Sequence, residues 1–107
     1  MRRLVGHVCF EMIKINELYN YIGRGRYVIV DLRDKEDYAK GHILEAINLP
    51  YESTKNLKQQ LIGYQQIFLY CYTGTRSLLA ARDLQNINGK IYDLGGGIAA
   101  WKGKLVK

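Results

Sequence analysis

Three short apolar runs punctuate the chain: Tyr27-Val28-Ile29-Val30, Ile67-Phe68-Leu69-Tyr70 and Ile91-Tyr92-Asp93-Leu94. The first two are β-branched or aromatic and nearly uninterrupted, the pattern of strands covered on both faces. Ala46-Ile47-Asn48-Leu49 and Phe10-Glu11-Met12-Ile13 predict two shorter strands. Helical stretches alternate with them. Asn16 is placed to cap a helix over Glu17 to Ile22, ended by Gly23, and Asp34 to cap one over Lys35 to Lys40 before Gly41. Ser53 or Thr54 opens a third through Ile62, closed by Gly63. Thr75 to Asn86 carries Leu78, Ala81 and Leu84 at three-residue steps, with Ile87 extending the stripe before Gly89. Gly97 to Lys102 reads as a short helix bearing Trp101. Strands alternating with helices on this scale predict an α/β domain with a mostly parallel sheet.

In such a sheet ligands gather beyond the carboxyl ends of the strands. The main runs end at Val30, Tyr70 and Leu94, so Asp31, Cys71 and Gly95 are the residues to inspect. With 107 residues the chain reads as one domain, residues 1–9 forming a tail that leads into the first strand. No apolar run approaches the roughly 20 residues of a membrane helix. The basic, then apolar start from Met1 to Phe10 is interrupted by Glu11 and Lys14 before a secretory signal could form. The expectation is a cytoplasmic protein with no membrane partner. The net charge of +6 is spread from Arg2 and Arg3 through Lys55, Lys58 and Lys90 to Lys107, without a Lys/Arg block. It is read as solubility and attraction for small anions, not as a nucleic-acid footprint. Two cysteines, Cys9 and Cys71, are too few for a disulfide scaffold and lack metal-ligand spacing. No metal and no cofactor is expected.

Cys71 directly follows the most apolar strand, and Thr73, Gly74 and Thr75 lead from it into a helix. Such a loop can wrap main-chain N–H groups around sulfur, with Gly74 supplying the positive φ that a nest-like turn commonly needs. The helix that follows points its N-terminal N–H groups and the positive end of its dipole at the same place. Both effects favour a thiolate and can bring a cysteine from about pKa 8.5 to as low as ~3.5–7.5 without a histidine base.

The segments Val30-Asp31-Leu32-Arg33-Asp34, Tyr38-Ala39-Lys40-Gly41-His42-Ile43, Ala46-Ile47-Asn48-Leu49-Pro50, Leu69 to Ser77 and Leu94-Gly95-Gly96-Gly97-Ile98-Ala99-Ala100-Trp101 resemble the rhodanese family in order and spacing. The resemblance runs from about Ile15 onward. It implies a three-layer domain with a central, mostly parallel five-stranded sheet flanked by helices. It also implies sulfur transfer. The Cys71 thiolate takes a sulfane sulfur from a small anionic donor such as thiosulfate, and a thiol, cyanide or a protein acceptor removes it. Tyr72, Thr73, Gly74, Thr75, Arg76 and Ser77 would hold the persulfide anion through the loop N–H groups. Where the family usually has Pro-Gly before the following alanine, Leu44-Glu45 stands here.

Related phosphatases carry Cys-x5-Arg, and arsenate reductases share their wider loop. Here Arg76 falls one position early and Ser77 occupies the arginine position, so the shorter loop suits one sulfur atom better than phosphate. Plainer readings stand beside the sharp ones. Cys71 as an inert core thiol and a non-catalytic module that binds a protein partner are the alternatives. Arg76 either guides an anionic donor or faces solvent. Asp31, Arg33 and Asp37 read as a structural charge network, with Asp31 bracing the loop. His42 and Trp101 read as structural, Gly95-Gly96-Gly97 as a close-packed turn near the site, and Tyr72 as part of the pocket mouth. Cys9 is read as incidental, the alternative being a resolving thiol.

Overall fold

The computed structural model describes residues 3–5, 8–84 and 86–107, with the backbone alone described at residues 3–5, 8 and 9. Its strands are β1 (Arg3–Val5), β2 (Val8–Lys14), β3 (Tyr27–Asp31), β4 (Ile47–Asn48), β5 (Gln66–Tyr70) and β6 (Lys90–Gly95). The helices are α1 (Leu18–Tyr21), α2 (Lys35–Lys40), α3 (Leu57–Leu61), α4 (Thr75–Asp83) and α5 (Gly97–Ala100). Five strands run parallel in the order β2-β6-β5-β3-β4, and β1 adds an antiparallel edge to β2. The sheet is thus the expected α/β one with a sixth short strand, formed where residues 3–5 were read as tail.

Side chains alternate across the sheet with period two. Val28, Val30, Ile67, Leu69, Cys71 and Ile91 face Leu61 of α3 and Ala80, Ala81 and Leu84 at α4. Ile13, Ile29, Phe68, Tyr70, Tyr92 and Leu94 face the other way, with Ile15, Leu18 and Ile43, and with Tyr38 and Ile98 packed against them. Helices cover both faces, which explains why the central strands carry apolar residues at both parities.

Several helices differ from the sequence reading, each for a visible reason. Asn16 caps nothing: its Nδ2 donates to the Ala100 carbonyl at 2.8 Å and its Oδ1 accepts from Lys102 N at 2.8 Å. A 3-10 turn over Ile15–Glu17 opens that segment instead. α3 starts only at Leu57, because Ser53 N and Thr54 N both donate to the Pro50 carbonyl in a turn and Asn56 is left-handed at φ +59°. α4 buries Ser77, Ala80 and Ala81, with Leu84 at its C-cap, whereas Leu78 is only half-buried and Leu79 is exposed. Small residues on the inner face let the helix lie close to β5, the strand that leads into Cys71.

Candidate functional site

Cys71 follows β5 at the carboxyl edge of the sheet and is 2% exposed. Gly74 lies at φ +112°, and its N–H donates to Cys71 Sγ at 3.1 Å. Ser77 N, in the first turn of α4, donates to the same sulfur at 3.4 Å. Of the loop expected to supply donors from Tyr72 to Ser77, these two N–H groups reach the sulfur. The N-terminal end of a nine-residue helix stands behind them. Two main-chain donors and the positive end of the helix dipole thus converge on the sulfur.

The loop is clamped from the far side by α5. Ile98 N donates to the Cys71 carbonyl at 2.9 Å and Ala99 N to the Tyr72 carbonyl at 3.0 Å. Those bonds occupy the Cys71 and Tyr72 carbonyls, while the loop's contacts with the sulfur are the N–H groups of Gly74 and Ser77. Gly97 makes the approach possible: a Cβ there would lie 2.3 Å from the Tyr72 carbonyl oxygen and 2.6 Å from that of Cys71. The glycine turn therefore packs closely on the cysteine loop.

The other expected residues separate into two groups. Tyr72, Thr73, Thr75 and Arg76 line a cavity of about 400 Å³ above Cys71, joined by Arg33, Asp34 and Asp37. Tyr72 is 63% exposed at its mouth. Arg76 lines this cavity with its guanidinium paired to carboxylates. Its Nη1 is 3.6 Å from Asp34 Oδ1 and its Nη2 is 3.1 Å from Glu52 Oε1, so the Arg76 guanidinium at the mouth is rimmed by the carboxylates of Asp34 and Glu52. A larger cavity of about 750 Å³ opens at the opposite, amino-terminal ends of the strands, beside Arg24, Lys58 and Lys90. It lies away from the thiol, and we take the smaller one as the site because it holds the only reactive sulfur among the described side chains. The side chain of Cys9 lies outside the described residues.

Asp31 and Arg33 form a buried pair. Arg33 Nη2 meets Asp31 Oδ2 at 2.7 Å, Arg33 Nε meets Oδ1 at 3.0 Å, and Arg33 N donates to Oδ1 at 2.9 Å. The same Nη2 donates to the Gly41 carbonyl at 2.7 Å. Burial works against the guanidinium's charge, but the hydrogen bond and charge of Asp31 prevail and hold its proton more tightly than usual. This geometry fits a brace between the end of β3 and the residues after α2. His42 stacks on Tyr38 with ring centroids 3.7 Å apart, and its main chain pairs with Val106. Burial, above all, pushes the Tyr70 hydroxyl well above its ordinary range while it accepts from Ile43 N at 3.1 Å.

Two features escaped the sequence reading. One is the carboxylate rim, because Glu52 and Asp34 reach Arg76 from separate loops. The other is Asp93 of β6, 1% exposed, whose Oδ1 lies 2.6 Å from Ser77 Oγ. Asp93 shares strand parity with Ile91 in the third apolar run, and that parity was the available signal.

Comparison with known proteins gives this site its relatives. The chain is 32% identical over 104 residues to a probable molybdopterin-synthase adenylyltransferase of Porphyra purpurea, covering 92% of this chain and 27% of that protein. It is 37% identical over 79 residues to the uncharacterized protein YqhL of Bacillus subtilis (strain 168), covering 72% of this chain and 62% of that one. The chain thus spans less than two thirds of either relative. Among solved structures, a rhodanese-related protein from Thermoplasma volcanium superposes with a TM-score of 0.77 at 26% identity, over 91% of this chain and 98% of that one. The profile of the Rhodanese-like domain matches residues 14–104, from the end of β2 past α5, and with them the whole cysteine loop and its glycine clamp. With most of its length inside that match, the chain belongs to the rhodanese-like domain family.

Proposed function

We propose that this domain moves sulfane sulfur through a persulfide on Cys71. The observation that carries the reading is the pair of main-chain donors, Gly74 N and Ser77 N, on a buried sulfur at the start of α4. The Cys71 thiolate attacks the outer sulfur of a thiosulfate-type donor. A new S–S bond forms, the donor's S–S bond breaks, and sulfite leaves with the electron pair. A thiophilic acceptor such as cyanide or a thiol then attacks the terminal sulfur and returns Cys71 as thiolate. This is nucleophilic catalysis with electrostatic stabilisation by fixed donors. A reducing, cytoplasmic setting would keep the thiol available.

The test is intact mass after incubation with thiosulfate, a polysulfide or 3-mercaptopyruvate. Gain of one sulfur atom, absent in Cys71→Ser and reversed by cyanide, is the expected result. No gain with any of the three overturns it.

The carboxylate rim favours one second reading, a module that docks a basic protein segment without chemistry, since Asp34 and Asp37 line the cavity, Glu52 stands beside it, and both guanidiniums there are already paired, Arg33 with Asp31 and Arg76 with Asp34 and Glu52. That reading leaves the two N–H groups on sulfur without a purpose. Phosphoryl transfer is disfavoured by the same geometry: Ser77, at the position of the phosphatase arginine, is buried and bonded to Asp93.

A further inference from the structure

Asp93 takes no part in the exchange just described, yet it sits where a carboxylate is costly. The residues in register with it are Leu69 on β5 and Met12 on β2, both uncharged, and α4 faces the sheet with Ser77, Ala80 and Ala81. Glu11, the neighbouring acid on β2, pairs in register with Tyr92 and by alternation points to the other face. The ion pairs among the described residues are Asp31–Arg33, Asp34–Arg76 and Glu52–Arg76, so no cation answers Asp93 there. Its hydrogen-bond partner is Ser77 Oγ at 2.6 Å. An ionised carboxyl taken out of water without a cation is expensive, and such groups hold a proton instead. Burial does push the Asp93 carboxyl above its ordinary range, outweighing the Ser77 hydrogen bond, which pulls the other way.

Ser77 has one hydroxyl proton and two places to put it: Asp93 Oδ1, or the Gly74 carbonyl at 3.1 Å. Its oxygen is also 3.8 Å from Cys71 Sγ, within reach of a thiol proton. Two self-consistent arrangements follow. With Asp93 ionised, Ser77 donates to Asp93 and accepts from the Cys71 thiol. With Asp93 protonated, Asp93 donates to Ser77, Ser77 donates to the Gly74 carbonyl, and sulfur is a thiolate held by Gly74 N and Ser77 N. The two contain the same number of protons.

We propose that Cys71 and Asp93 share one proton through the Ser77 hydroxyl, so that the two groups carry one negative charge between them and Asp93 takes up the proton whenever that charge sits on sulfur. The S–H bond breaks and its proton passes to Ser77 Oγ, while the Ser77 O–H proton passes to Asp93 Oδ1. No electron changes owner. The buried group keeps a net charge of −1 as thiol with carboxylate, as thiolate with acid, and as persulfide with acid. The loop then never has to hold two negative charges. This builds on the persulfide reading, but its test needs no sulfur donor.

The test is the pH profile of iodoacetamide alkylation at Cys71, in a Cys9→Ser background so that one thiol reports. The parent should rise in two steps, as a coupled pair does. Asp93→Asn, whose amide can donate to Ser77 but holds no proton to exchange, should rise in one step at lower pH. Its alkylation near pH 5 should be about tenfold faster than the parent's, because one nearby negative charge is gone. A merely structural Asp93 would leave the profile unmoved. An Asp93→Asn curve that overlays the parent's, or shifts to higher pH, overturns the proposal. Should that variant fail to fold, a parent profile described by a single ionisation overturns it equally. Sulfur loading by mass is read separately, so failure of the relay and failure of the persulfide reading are distinguishable.

Discussion

The sharpest structural test of the site lies outside the cysteine loop, at Gly97. It lies at φ +62°, where a side chain costs about 1–2 kcal/mol. An alanine Cβ would also sit 2.3 Å from the Tyr72 carbonyl oxygen, well inside contact distance, with main chain on both sides. The strands behind the loop are close-packed, so α5 must move outward. That movement breaks Ile98 N to the Cys71 carbonyl and Ala99 N to the Tyr72 carbonyl, together about 1–3 kcal/mol. Lower entropy of the unfolded alanine chain returns about 0.4–1 kcal/mol. The net loss for Gly97→Ala is about 1–4.6 kcal/mol, centred near 3, which at a urea slope of about 2 kcal/mol/M is a midpoint lower by roughly 1–2 M. The assay is urea unfolding followed by fluorescence of Trp101, which adjoins α5, together with sulfur loading of the folded variant. Loading should fall more steeply than stability, since the carbonyls released by α5 can swing toward the sulfur. A Gly97→Ala protein within about 0.5 kcal/mol of the parent, with loading intact, would refute the clamp.

Four further outcomes follow from the same geometry. Arg33→Leu should cost about 3–5 kcal/mol by urea unfolding, because Asp31 is left charged and fully buried, and the Asp31→Leu/Arg33→Leu pair should cost less than Arg33→Leu alone. Glu45 stands at φ +74° where the family usually has glycine, so Glu45→Gly should be more stable than Glu45→Ala by about 1 kcal/mol, the reverse of the usual order; both lose the Tyr27 hydroxyl bond to Glu45, which cancels in the comparison. Neutralising the rim with Asp34→Asn and Glu52→Gln should speed alkylation by an anionic reagent such as iodoacetate about two- to fivefold at low salt, and the gain should vanish at high salt. Asp93 binds its proton more tightly folded than unfolded, so its contribution is fully present below the unfolded carboxyl's pKa and is lost as pH rises through the raised folded value; the melting temperature of Asp93→Asn relative to the parent should therefore climb with pH across that window.

What the sequence made legible, and what it did not, divides along a physical line. The central strands were readable because burial on both faces leaves a local mark: β3 and β5 are almost wholly apolar. The cysteine loop was readable for a similar reason. Strand end, glycine and helix start lie within a few residues, so local geometry carries the chemistry. Helix limits were less legible because distant partners settle them. Asn16 has the chemistry of a cap, but the α5 end competes for its amide and wins both bonds. Leu78 has the right spacing for the core face of α4, but the sheet lies closer to Ser77, Ala80 and Ala81. Arg76 looked free because its partners arrive from loops 24 and 42 residues earlier in the chain (76 − 52 and 76 − 34).

Asp93 shows how local reading and register combine. A single acid in an apolar strand normally marks an outward position. Its parity with Ile91 puts it on the α4 face, and the parallel register of β6 with β5 sets it opposite Leu69, two residues before the thiol. Only the pairing of strands more than 20 residues apart (93 − 69 = 24) brings acid, hydroxyl and sulfur into one chain. The same pairing explains the economy of the loop. Main-chain donors from α4 stabilise the anion, α5 occupies the Cys71 and Tyr72 carbonyls, and a carboxyl on the next strand is positioned to take the displaced proton. Each contribution comes from a different element, so a substitution at any one should leave the other two measurable. If Gly97→Ala abolishes loading while the thiol still titrates in two steps, the carbonyl clamp and proton sharing are separate devices; if both fail together, they are one.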